Sequence, residues 1–84
     1  MTIIDESGFR LWLSSQNKWS KKAQNDLVSR LRRAEKIKAI DTSTQEDSYV
    51  KALENSVEWA VIPRASRTGI IAAARIYLGW RNSL

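Results

Sequence analysis

The stretch SRTGIIAAARIYLGWRN, residues 66–82, decides the fold class. Plotted at about 100° per residue, Ile70, Ala73, Ala74, Ile76, Tyr77, Leu78 and Trp80 cover most of a helix circumference. Thr68, Arg75, Gly79 and Asn82 share the remaining polar stripe, about 60° wide. A helix apolar on so many sides belongs at the centre of a bundle, where its alanines and Gly79 let neighbouring backbones approach. Ser66 offers a capping hydroxyl, so the pattern predicts a helix from Arg67 to about Asn82.

Three further helical segments lie upstream. The first runs from about Glu6 to Ser15, with Phe9, Leu11, Trp12 and Leu13 as its apolar cluster. Ser20 is a good N-cap for a long second helix, Lys21 to about Lys38, on which Ala23, Leu27, Leu31 and Ala34 mark the buried stripe. Ile40-Asp41-Thr42 breaks that pattern. Ser43 and Glu46 form a capping box for a third helix, Thr44 to about Glu54. The apolar stretch Val57–Ile62 is a further helical turn or a continuation of the third helix, and Pro63 ends it. With no alternating strand pattern, the reading is an all-α compact bundle of four helices, or five with that turn, forming one domain over residues 1–84.

Composition narrows function. Cysteine and histidine are both absent, which removes disulfides, thiolate metal sites, cysteine nucleophiles and the commonest general base. Ser14, Ser15 and Ser43 therefore have no imidazole to activate them. The adjacent acids Glu46 and Asp47 are accounted for by favourable charge at a helix start. No phosphate-cradling glycine loop or EF-hand spacing exists. The expectation is a protein without an active site, cofactor or metal. No run approaches the length of a membrane span, and the segment Met1–Glu6 is acidic rather than a cationic signal region, so the expected compartment is the cytoplasm.

Net charge is +5 and the pI about 10.0, and the charge is segregated. Residues 17–38 carry eight basic and two acidic side chains, residues 39–63 one basic and five acidic, and residues 64–84 four arginines and no acid. On the second helix, Lys21, Lys22, Asn25, Ser29, Arg32, Arg33 and Lys36 fall within about 120° of arc opposite the apolar stripe. Five cations with an amide and a hydroxyl, where acid is scarce, suit a helix laid against duplex DNA. The cations meet phosphates, and Asn25 and Ser29 are the candidate base readers. Trp12, Trp59 and Trp80 read as core, and Trp19 as an anchor at the start of the second helix. The other class compatible with these features is a protein-interaction module docking through the acidic third helix or exposed tryptophans.

The order Phe9-x-x-Trp12-Leu13, Ser20-x-x-Ala23-x-x-x-Leu27-x-x-x-Leu31 and Ala73-Ala74-Arg75-x-Tyr77-x-x-Trp80 resembles the SAM-like core-binding domain of tyrosine recombinases, the phage integrases. Ala23, Leu27 and Ala74 stand where that family often has Thr, Tyr and Leu. The resemblance implies a bundle of about four helices, two of them in or across the major groove, clamping DNA opposite a catalytic domain during integration or site-specific recombination. It also adds Arg67, Thr68 and Arg75 of the last helix to the DNA-facing set. The family's catalytic half, with its tyrosine nucleophile, arginines and histidine, has no counterpart in these 84 residues. Tyr49 and Tyr77 are accordingly not nucleophiles, and Tyr77 is expected in the core. The resemblance leaves two settings, a domain cut from an integrase or a free-standing relative that binds without cutting. The implied partners are double-stranded DNA and, in the first setting, a catalytic recombinase domain of the parent chain, with no membrane and no metal.

Overall fold

The computed structural model describes residues 4–40 and 45–83. Four α-helices form the bundle: α1 (Glu6–Gln16), α2 (Lys21–Ile37), α3 (Glu46–Glu54) and α4 (Arg64–Asn82). A short 3-10 turn, Val57–Val61, joins α3 to α4. No strand occurs among the described residues.

Local chemistry explains where most of these helices begin and end. The Asp5 carboxylate accepts the Gly8 N–H at 3.0 Å to cap α1. Asn17, with φ 56°, closes that helix in the left-handed region that asparagine tolerates. Ser20 caps α2 by accepting the Ala23 N–H at 3.1 Å. The expected Ser43 capping box and Thr44 start fall outside the described residues. In the described part, α3 begins at Glu46 with Gln45 in the N-cap position and no side-chain cap, and the Glu46 carboxylate is turned to Arg75 instead. The start of α4 corrects the sequence reading. Pro63, not Ser66, occupies the N-cap, and the helix opens at Arg64. Proline fixes φ at −58°, and its carbonyl accepts the N–H groups of Ser66 (2.9 Å) and Arg67 (3.2 Å), placing Ser66 inside the first turn.

The core runs along α4. Ile70, Ala73, Ala74, Tyr77 and Leu78 are fully buried together with Phe9, Leu13, Leu31, Ala34, Ile40 and Leu53. α4 packs most extensively on α2 and also on α3. Aromatic rings tie it to α1. Tyr77 stands edge-on to Phe9 at 5.2 Å, and Trp80 lies 6.0 Å from Trp12 in a stacked arrangement. Trp19 packs on Trp12 at 5.9 Å, while its carbonyl accepts the Gln24 amide, so the connection anchors α2. The outer stripe of α4 is wider than the sequence pattern implied, because Ala65 and Ala72 are exposed alongside Thr68, Gly79 and Asn82.

On α2 the buried residues are Leu27, Val28, Leu31 and Ala34, whereas Ala23 is only half-buried. Packing of α1 over the Val28 flank rotates the buried stripe from the position that Ala23 had indicated. The 3-10 turn buries Trp59 and turns Val57 and Val61 outward, 85% and 80% exposed.

Two hydroxyls tie elements together. Tyr77 accepts the Asp5 N–H at 2.9 Å, and Tyr49 donates to the Lys38 carbonyl at 2.8 Å, holding α3 to the end of α2. Tyr77→Phe, which strands the Asp5 amide, is expected to cost about 1 kcal/mol, and Tyr77→Ala about 3–5 kcal/mol through the cavity, both measurable by urea unfolding. Burial, with the Glu35 charge second, pushes the Tyr49 phenol well above its ordinary range. The fold therefore holds that proton more tightly than the unfolded chain does. The contribution is present in full below the usual tyrosine range near 10 and is lost as pH rises beyond it. Urea midpoints followed from pH 8 to 11 should fall at the alkaline end, and less steeply in Tyr49→Phe.

Candidate nucleic-acid interface

All seven polar residues expected on the α2 face are exposed. Their order around the helix, beginning at the α1 side, is Lys21, Arg32, Asn25, Lys36, Ser29, Lys22 and Arg33. Asp26, an acid that the seven-residue set leaves out, lies just beyond Arg33 and is also exposed. Arg30 follows, a cation the sequence reading left out.

Arg30 crosses to α4. A Cβ added at Gly69 would lie 2.9 Å from its Nε and 3.1 Å from its Cζ, so the guanidinium rests on bare α4 backbone. The signal for this contact was a glycine one turn inside the most apolar helix, but only the packing of α2 on α4 shows which side chain uses it. The basic face thus reaches the exposed stripe of α4 that carries Thr68.

At the opposite edge, α1 engages two of the predicted residues. Arg32 donates through Nε (3.1 Å) and Nη2 to the two carboxylate oxygens of Glu6. Arg10 Nη1 donates to Asn25 Oδ1 at 2.7 Å, and Arg10 Nε lies 3.6 Å from the same Glu6 carboxylate. The two Glu6 contacts are exposed ion pairs of the kind worth no more than about 1 kcal/mol each. A cavity of about 290 Å³ adjoins them, lined by Ile4, Glu6, Arg32, Glu35 and Lys36.

The α4 residues lie apart from that face. Arg67 donates to the carbonyls of Ile62 (2.9 Å) and Ala60 (3.3 Å) and sits 5.8 Å from the Trp59 ring centroid, fastening the 3-10 turn. Arg75 bridges to α3, with Nη1 at 3.1 Å from Glu46 and 2.8 Å from Asp47. The Asp47 bond, ahead of the Glu46 bond, holds its guanidinium above the ordinary arginine range despite some desolvation. Lys21, Lys22, Ser29, Arg33, Lys36 and Thr68 make no side-chain hydrogen bond or ion pair among the described residues. The structure therefore brings together an α2 face with four cations unengaged, with Arg32 among them held by Glu6 and Arg30 beyond its far edge, and leaves Arg67 and Arg75 in structural contacts.

No helix among the described residues is long and apolar enough to cross a membrane, and none of their acidic clusters is a candidate metal site. No family model, curated protein or solved structure matches the chain.

Replacing Gly69 tests the Arg30 contact. Gly69→Ala adds helix propensity of about 1 kcal/mol, and the atom it meets is the movable end of Arg30. The variant is expected to melt at or above the parent temperature in circular dichroism, with Arg30 displaced.

Proposed function

We propose that this bundle binds duplex DNA through the exposed face of α2, in the manner of the clamp half of a tyrosine recombinase. The observation that carries the reading is the charge distribution of that face. Lys21, Lys22, Arg33 and Lys36 point into solvent without an acidic partner among the described residues, while the acids Glu46 and Asp47 are answered by Arg75 on another side of the molecule. A face kept only for solubility usually mixes both signs, whereas the acids here lie at the borders of the arc, Asp26 at one edge and Glu6 and Glu35 at the other. The motif order Phe9, Trp12, Leu13, Tyr77, Trp80 supports the bundle, since these residues form the α1–α4 contact. It bears on the recombinase setting only by resemblance. In that setting the catalytic chemistry belongs to a further domain, and this chain contributes positioning on the DNA.

One feature favours the second reading, a protein-interaction module. The exposed valines Val57 and Val61, with the exposed Ala60 and Glu58 between them, form an apolar outer surface on the turn that Arg67 fastens.

Salt titration separates the two. In Lys22→Ala/Arg33→Ala both side chains are exposed and without partners, so stability should change by less than about 1 kcal/mol. Affinity for duplex DNA is expected to fall roughly tenfold or more, and the log–log salt slope to flatten by about 1.8 for two lost phosphate contacts. A folded double variant that binds with the parent affinity and slope would falsify the DNA reading and favour the module.

A further inference from the structure

The Arg10–Asn25 contact bears on which base the face would select, an inference that rests on the DNA-binding reading. Arginine carries five N–H donors and no acceptor, so the Asn25 amide atom 2.7 Å from Arg10 Nη1 must be the oxygen. This fixes the orientation of the amide. Its oxygen is turned to α1, and its NH2 group, with two donors, is left to face outward from the α2 arc, between Arg32 and Lys36. Arg10 is steadied from its other side by Glu6, which also holds Arg32. The three contacts form one brace between α1 and α2.

Asparagine reads adenine in the major groove by using both halves of its amide at once, accepting from N6 and donating to N7. In this arrangement the accepting half is committed. The second lone pair of Oδ1 remains, but an approaching adenine N6–H would meet the Arg10 guanidinium, a donor of the same polarity. Guanine presents two acceptors, O6 and N7, on the same edge. We propose that Asn25 and Arg10 act as a paired, donor-only reader that selects guanine, and that Arg10 is the residue determining this choice by withholding the Asn25 oxygen. Arg10 lies on α1, outside the seven α2 residues whose types alone suggest DNA contact.

The experiment is selection of bound duplexes from a random-sequence library by the parent chain, Asn25→Ala and Arg10→Met, with each variant's melt recorded. The position read by Asn25 is the one whose enrichment disappears in Asn25→Ala. Guanine is expected there for the parent. Arg10→Met keeps the aliphatic bulk and frees Oδ1, so the guanine-to-adenine ratio at that position should drop about tenfold while the melt stays unchanged. Adenine in the parent selection, or a ratio unmoved in a folded Arg10→Met, overturns the inference and leaves DNA binding intact. Salt-dependent binding that enriches no base overturns it in the same way. A parent chain that retains no duplex at all sinks both readings together.

Discussion

The closure of this bundle, first helix onto last, depends on the meeting of α1 and α4 around Tyr77. The ring stands against Phe9, and its hydroxyl accepts the N–H of Asp5, the residue that caps α1. One buried side chain near the end of the chain therefore fixes the start of the first helix. Trp80 adds a second contact with Phe9 and Trp12, so the two ends are joined by packing rather than by a crosslink. In a bundle this small, without cysteine to form a disulfide, such aromatic bulk supplies much of the area that can leave water. Once α1 is docked in this way, its outward residues Glu6 and Arg10 arrive beside α2.

The bundle's charge pattern has the same tertiary origin. The acids of the 39–63 segment do not simply oppose the basic helices. Glu46 and Asp47 draw Arg75 across to α3, and Arg67 is spent on carbonyls of the 3-10 turn. Three of the four arginines in residues 64–84 thus act as struts, since Arg81 Nη1 also lies 3.9 Å from the Asp5 carboxylate. Four cations of α2, Lys21, Lys22, Arg33 and Lys36, carried on a helix whose other side is buried, stay available to solvent, while Arg32 is held by Glu6 and Arg30 lies on Gly69. Which arginines are engaged is decided by the elements that lie beside each helix.

The sequence was legible wherever a contact is local. The Ser20 cap, the alternation of apolar residues along α2 and the centrality of α4 all follow from spacings of three and four residues. Pro63 was read as a stop because a proline disfavours helix in the residue before it, yet the same fixed φ starts α4, and Ser66 lost its cap to the Pro63 carbonyl. Val28 was missed because its burial comes from α1 crossing that flank. The pairing of Arg32 with Glu6 spans 26 positions, and no periodicity within α2 signals it. Arg30 is the same kind of case, since its place depends on Gly69 of a helix far along the chain. Residue type alone picked out a basic face. It did not tell which cations on the face were already engaged.

The tryptophans divide the molecule optically. Trp12, Trp19 and Trp80 form a connected chain of rings at the α1–α4 contact, each within about 6 Å of the next. Trp59 sits apart beneath the Arg67 guanidinium. Excitation absorbed by the three coupled indoles is shared among them, whereas Trp59 stands outside that chain of rings. Intrinsic fluorescence thus carries two separate reports from one short chain, one on the closure of its ends and one on the corner between α3 and α4.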